Sequence, residues 1–165
     1  YKDIELLIRW FAEYCKNHDD RFLVLWAGIH PKLASDTVYM GKYNSYRALA
    51  EDSIPSGQYS WVWFVDDKDI PSYYSGADLT IYPYKVALAS SGPMAISIWY
   101  HTPFVASECF APYFEEYPAL IFESNISGIV DVLTRDLSGI QWTIDTLYNE
   151  RVWDKVSKKT SALYG

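Results

Sequence analysis

Long apolar runs and cysteines are scarce in this sequence. None of the apolar runs is long enough to span a membrane, and the first residues lack the layout of a signal peptide. The two cysteines, Cys15 and Cys109, stand far apart and without the spacing of a metal site, which predicts free thiols in a reducing compartment. We therefore expect a soluble domain of the cytoplasm.

Positive charge is also in short supply. The 165 residues include 14 lysines and arginines against 21 aspartates and glutamates, a formal net charge of −7. No face of such a chain is expected to carry the basic excess that neutralises a nucleic-acid backbone, so a general nucleic-acid binder is excluded. A small pocket for a single nucleotide remains compatible with this charge.

Familiar catalytic signatures are missing as well. The sequence has no G-x-S-x-G nucleophile elbow, no His-Glu-x-x-His metal site, no P-loop and no dinucleotide-binding G-x-G-x-x-G. The adjacent pairs Asp66-Asp67 and Glu115-Glu116 would splay apart on a strand or helix, which makes them poor partners for concerted acid–base chemistry. We therefore predict no metal site and assign no catalytic residue.

What the sequence does contain is an alternation of apolar strands and helices. Half of the residues are hydrophobic, and the length suits one domain spanning residues 1–165, with 139–165 as C-terminal tail helices. An amphipathic period predicts a helix over residues 3–17, and the apolar run 21–27 predicts a strand covered on both faces. Further strands are predicted at residues 59–65, 79–82 and 104–106. The pattern is typical of an α/β fold with a Rossmann-like parallel sheet flanked by helices.

The turn Ser90-Ser91-Gly92-Pro93 is the most informative loop of the predicted sheet. Ligands of such sheets bind beyond the carboxyl ends of the strands, where this loop lies. Serine is a favoured N-cap, proline suits the first helical turn, and glycine allows close approach to the backbone. The start of a helix presents N–H groups and a positive dipole end that suit a phosphate. The alternative is an ordinary capped helix without a ligand.

The chain opens on a helix where the alternation calls for a strand. In a doubly wound sheet that first strand would be central, and its loss would expose two strand edges. We therefore expect this chain to be a piece of a longer polypeptide, cut just before Lys2.

Seven short segments occur in a recognisable order and spacing. They are residues 2–8 (KDIELLI), 22–28 (FLVLWAG), 59–78 (with IPSYYSGAD at its end), 81–84 (IYPY), 91–92 (SG), 102–107 (TPFVAS) and 153–164. In this order they resemble the C-terminal, nucleotide-sugar-binding domain of the retaining glycosyltransferases of group 1, which have the GT-B fold. The resemblance covers nearly the whole chain, which would then be one half of such a fold.

The resemblance implies transfer of a sugar, with retention, from a nucleoside diphosphate sugar to an acceptor that is a sugar, lipid or protein. No cofactor is implied beyond the donor substrate. The enzyme's own N-terminal domain is the implied partner, and peripheral membrane association of the full enzyme is compatible with the family.

The resemblance also assigns residues to the two halves of the donor. The diphosphate would be held by Lys2, Lys85, Ser90, Ser91 and Gly92. The base and ribose would lie against Gly28, His30, Val65 and Asp66. For each of these residues the structural alternative is simple: a solvated loop charge, an incidental loop histidine or a helix cap.

One departure from the family concerns two glutamates that many members carry eight positions apart around the phosphate-binding turn. Their positions correspond to Leu88 and Ile96 here, so both carboxylates are missing. Lys85 and the serine–glycine turn would then take over the donor contacts. Two alternatives stay open for this reason: a non-catalytic nucleotide-binding or scaffolding module, and a nucleotide-sugar epimerase of the same fold.

Overall fold

The computed structural model describes residues 2–26, 32, 34–87, 91–152, 155 and 158. Helices and strands alternate along these residues, with two short 3₁₀ helices (Glu108–Tyr113 and Pro118–Leu120) before the last strand. In chain order the elements are α1 (Ile4–Tyr14), β1 (Leu23–Trp26), α2 (Thr37–Ser53), β2 (Tyr59–Val62), α3 (Ile70–Ser75), β3 (Thr80–Tyr82), α4 (Gly92–Trp99), β4 (Phe104–Ser107), β5 (Ile121–Phe122), α5 (Ile126–Thr134) and α6 (Ser138–Arg151).

All strand pairs between these elements are parallel, and they form two small sheets. In the first sheet β1 pairs with β2, with Leu23 opposite Tyr59. In the second the order is β3-β4-β5, with Ile81 opposite Val105 and Ala106 opposite Ile121. The predicted α/β class, with parallel strands flanked by helices, is confirmed.

The core is centred on β4 and α1. Phe104, Val105 and Ala106 of β4 are fully buried, as a central parallel strand should be. From α1, Ile8 and Trp10 are also fully buried, and the Trp10 ring meets Phe122 edge-on with centroids 5.4 Å apart. α1 packs against both α2, which lies between β1 and β2 in the chain, and α5, which follows β5. This helix therefore connects the segments that contain the two sheets.

The prediction that the strand at residues 21–27 is covered on both faces is wrong. Leu25 is buried, whereas Val24 is 45% exposed and Trp26 37% exposed. Alternate residues of a strand point to opposite faces, so only one face of β1 is packed in the core. Burial of the second face would need a neighbouring element that the described residues do not supply.

Local capping signals set most helix boundaries. α2 begins at Thr37, because the Asp36 carboxylate accepts hydrogen bonds from the N–H groups at the helix start. Asn125 caps α5, accepting from the Gly128 N–H. α6 ends at Arg151, and Val152 after it is extended. Within the described residues, no helix combines the length and apolarity that a membrane crossing requires.

Candidate functional site

The carboxyl ends of β3 and β4 meet at Tyr84, two residues beyond β3. The Tyr84 N–H donates to the Ser107 hydroxyl, 2.7 Å away at the end of β4. The same hydroxyl donates to the Tyr82 carbonyl at 3.1 Å. Ser107 is 1% exposed, so both bonds are shielded from water. They fix the backbone of residues 82–84 against β4, at the edge of the sheet where parallel folds bind ligands.

The Tyr84 side chain connects this edge to the start of α4. Its ring is buried and packs edge-on against Phe110, with centroids 5.3 Å apart. Its hydroxyl lies 3.2 Å from the Ser91 hydroxyl. Ser91 is the N-cap of α4, and its hydroxyl accepts from the Met94 N–H at 3.5 Å. The predicted capping by Ser91 is therefore confirmed, and Tyr84 ties that cap to the sheet.

Gly92 leaves the start of α4 open. It is exposed, and among the described residues a Cβ built on it would meet no atom within 4 Å apart from its chain neighbours and the backbone of its own helix. The backbone at this point can therefore be approached by a ligand, and the positive end of the helix dipole faces the same space. Pro93 follows in the first turn, where its missing N–H costs no helical hydrogen bond.

Both predicted lysines lie beside Tyr84 in the structure. Lys2 forms an isolated antiparallel bridge with Tyr84, supported by the Asp3 N–H, which donates to the Pro83 carbonyl. Lys85 is the next residue after Tyr84, and its ammonium lies 3.4 Å from the Asp3 carboxylate. The structure thus brings Lys2 and Lys85 to the same strand end as the α4 start.

The two ammonium groups differ in their surroundings. The Lys85 side chain is 64% exposed, so water screens most of its pairing with Asp3. Much of the Lys2 residue is also exposed, yet protein atoms around its ammonium desolvate it, and this burial lowers its pKa. A desolvated cation attracts an anion more strongly than a solvated one.

The other predicted residues divide into those that the structure describes and those that it does not. Ser90, Gly28 and His30 lie outside the described residues. Val65 is buried and Asp66 exposed, and both follow β2 in the two-stranded sheet. The Asp66 carbonyl accepts from the Asp69 N–H at 2.8 Å, which shapes the turn into α3. The assignment of Val65 and Asp66 to the base and ribose stays a prediction.

Sequence reasoning missed Tyr84 and Ser107. Tyr82 and Tyr84 are two positions apart, and on an extended segment such residues share a face. Both hydroxyls reach α4: Tyr82 donates to the Pro93 carbonyl at 2.8 Å, and Tyr84 meets Ser91. The repeat of tyrosine at this spacing, just before the serine–glycine turn, is the signal that could have pointed to this role.

A cavity of about 370 Å³ lies at the opposite end of the sheet, beside the amino end of β4. His101 follows α4 with a positive φ of 54°, as at many helix ends, and its ring nitrogen lies 2.7 Å from the Asp145 carboxylate. Because parallel sheets bind ligands at the carboxyl edge, this cavity is separate from the candidate site.

Within the described part of the chain, no group of three metal-ligating side chains could hold a metal ion.

Comparisons with known proteins bear on the fold. No family model matches the chain, and no curated protein matches it either. Among solved structures, it is similar to the sucrose-phosphate synthase of Thermosynechococcus elongatus, with a TM-score of 0.69 at 17% identity. The fold is glycosyltransferase-like. The match covers 99% of this chain and 41% of that enzyme, so the chain spans about two-fifths of its length.

Proposed function

We propose that this chain is the donor-binding part of a glycosyltransferase, which takes a sugar from a nucleoside diphosphate sugar and transfers it with retention. One observation carries the proposal: Tyr84 gathers Lys2, Lys85 and the open start of α4 at the carboxyl edge of a glycosyltransferase-like fold. Two cations and a helix N-terminus at the same end of a sheet are groups that stabilise a bound diphosphate.

The chemical task of this cluster is to stabilise the leaving diphosphate. Negative charge grows on the phosphate as the glycosidic bond breaks, and fixed dipoles and cations aimed at that charge lower the barrier. The α4 start is held by the Ser91 and Tyr84 hydroxyls and the Ser107 bonds, so little reorganisation is needed during the reaction. Lys2 would contribute the stronger of the two cationic interactions, because its ammonium is desolvated.

Gly92 is the residue through which we expect backbone contact with the phosphate. Pro93 has no N–H, the Met94 N–H donates to the Ser91 hydroxyl, and the Ala95 N–H donates to the Ser91 carbonyl. The open space at Gly92 supports contact at this residue. No cofactor or metal is then required for charge neutralisation at the diphosphate.

The second candidate is a non-catalytic nucleotide-binding or scaffolding module. Ile96, which stands where many related transferases have a glutamate, is a partly buried apolar residue of α4. A module that binds but does not transfer would lose such a carboxylate without penalty. In the transferase, we place the acceptor site and any general base on an N-terminal domain, and we place the enzyme in the cytoplasm or at the membrane surface.

Calorimetric titration with UDP, GDP and ADP tests the binding proposal. We expect weak, saturable binding of one nucleotide and loss of at least about tenfold in affinity, or about 1.4 kcal/mol, in Gly92→Val. The valine side chain would fill the space that the phosphate needs, and its Cβ would meet no described atom within 4 Å beyond its chain neighbours and its own helix backbone.

Gly139→Val is the matched control. Gly139 lies in the first turn of α6, is exposed, and likewise has no atom within 4 Å of a built Cβ. Its affinity should equal that of the unsubstituted chain. Equal affinities of the Gly92 and Gly139 variants, or no binding of any nucleotide by the folded chain, would contradict the proposal.

A further inference from the structure

A chain of hydrogen-bonded hydroxyl groups runs from β3 to the first turn of α4. The Tyr82 hydroxyl donates to the Pro93 carbonyl at 2.8 Å and lies 2.7 Å from the Ser97 hydroxyl. The Ser97 hydroxyl in turn lies 2.9 Å from the Thr80 hydroxyl. Because Tyr82 and Ser97 are buried, water competes little for these bonds, and they join β3 firmly to α4.

The three short contacts fix the direction of this hydroxyl chain. A carbonyl can only accept, so the Tyr82 hydrogen points to Pro93. Each hydroxyl carries one hydrogen, so Tyr82 must accept from Ser97, and Ser97 must accept from Thr80 in preference to the longer 3.2 Å contact of Thr80 with the Pro103 carbonyl. Burial raises the pKa of Tyr82, so its hydroxyl keeps the hydrogen that it donates. All three donors therefore point toward the start of α4.

The Pro93 carbonyl, where the hydroxyl chain ends, belongs to the residue after the open Gly92. The Tyr74 hydroxyl of α3 also donates to this carbonyl, at 3.4 Å, so the first turn of α4 is held from two elements. The bond from Tyr82 is shorter than this one, and shorter than the 3.2 Å contact between Tyr84 and the N-cap hydroxyl. Tyr82 therefore holds the start of α4 more closely than either of the other two tyrosines.

We propose that Tyr82 is a positioning residue of the diphosphate site. Its hydroxyl is committed to the Pro93 carbonyl, so it acts on a ligand only through this backbone. It keeps the exposed Gly92 in place at the strand end where Lys2 and Lys85 lie. Electrostatic stabilisation depends on groups that are held in place before the ligand arrives, and a looser start of α4 would weaken it. This role rests on the proposed donor-binding function.

The test is Tyr82→Phe, which removes one hydroxyl and keeps the buried ring. Tyr14→Phe is the matched control, because Tyr14 is also buried and its hydroxyl donates to the Asp20 carboxylate at 2.7 Å, at the end of α1. Calorimetry compares both variants with the unsubstituted chain, using inorganic pyrophosphate and whichever of UDP, GDP and ADP binds best. We expect affinity for both ligands to fall about three- to tenfold in Tyr82→Phe and not to change in Tyr14→Phe.

Amide hydrogen exchange measures the position of α4 without a ligand. In an α-helix the Ser97 N–H donates to the Pro93 carbonyl, so its exchange rate shows how firmly the first turn is held. The fully buried Val105 of β4 is the internal reference for global unfolding. We expect the Ser97 amide to exchange at least about threefold faster relative to Val105 in Tyr82→Phe, and not in Tyr14→Phe.

Different outcomes would contradict the positioning role and the donor-binding function. If the folded, unsubstituted chain binds neither nucleotide nor pyrophosphate, the donor-binding function fails and the positioning role fails with it. If the chain binds and the Tyr82 and Tyr14 variants have equal affinities, the positioning role alone is overturned. An unchanged relative exchange rate of the Ser97 amide would also overturn the positioning role.

A second pair of variants at Thr80 replaces Tyr82→Phe if that variant does not fold. Thr80→Ser keeps the first donor of the hydroxyl chain and should retain the affinity for pyrophosphate. Thr80→Val has nearly the same shape but no donor, so its affinity should fall about two- to threefold. Equal affinities of the serine and valine variants would overturn the positioning role.

Discussion

The two sheets of this protein differ in how deeply their strands are buried. In the three-stranded sheet every residue of β4 is buried, and Ser107 and Tyr84 lock the strand ends together. In the two-stranded sheet β1 is packed on one face only, with Val24 and Trp26 half-exposed. The groups proposed to bind the diphosphate lie beside the three-stranded sheet, and Val65 and Asp66, proposed to contact the base and ribose, follow β2 of the two-stranded sheet. Diphosphate binding should therefore survive in this chain better than discrimination between bases.

The largest contrast is expected from core substitutions in the two sheets. Phe104 is fully buried and meets Tyr82 and Phe114 edge-on, so Phe104→Ala should lower the free energy of unfolding by about 3–5 kcal/mol. Val24→Ala in the exposed face of β1 should change it by about 0.5 kcal/mol or less. Urea denaturation measures both changes in unfolding free energy. Similar losses in the two variants would contradict the expected difference between the two sheets.

The next effect concerns the bond that joins β3 to β4. Ser107→Ala removes the acceptor of the Tyr84 N–H and leaves that buried group without its partner, at a cost of about 1–3 kcal/mol of unfolding free energy. The control is Ser45→Ala, since the exposed Ser45 hydroxyl donates only to a carbonyl one turn earlier in α2. Urea midpoints compare the two variants, and equal midpoints would show that Tyr84 is not held in this way.

A smaller difference, in nucleotide affinity, is expected between substitutions of Lys2 and Lys85. Lys2→Met should weaken nucleoside diphosphate binding more than Lys85→Met, because the Lys2 ammonium is desolvated whereas Lys85 is solvated and paired with Asp3. We expect a loss of up to about tenfold for Lys2 and a few-fold for Lys85. Calorimetry at neutral pH gives both affinities, and a larger loss at Lys85 would reverse the assignment.

The pH dependence of nucleotide binding is a second test of the role of the Lys2 ammonium. The pKa of Lys2 is lowered, so its charge is lost at a lower pH than that of an ordinary lysine, which titrates near about 10.4. Affinity for the diphosphate should therefore begin to fall below that pH as the solution becomes alkaline. In Lys2→Met the fall should shift to higher pH, and an identical profile in both proteins would show that Lys2 does not face the ligand.

Local chemistry could be predicted from the sequence, and tertiary contacts could not. The residue types of Ser91 and Pro93 indicate a helix start, and α4 begins between them, at Gly92. The bond from Tyr84 to Ser107 crosses 23 residues, and no short pattern reports it. The apolar run of β1 looked like a doubly covered strand, but burial depends on neighbours that a strand's own sequence does not specify.

Lys2, Lys85 and the start of α4, which lie beside Tyr84, are proposed to bind a diphosphate. The most direct measurement is calorimetric titration of the chain with a nucleoside diphosphate and, in parallel, with the corresponding nucleoside. We expect measurable binding of the diphosphate, which weakens as salt screens the charges, and an affinity for the nucleoside that is lower by at least about tenfold. Equal affinities for the two ligands, or diphosphate binding that is insensitive to salt, would contradict it.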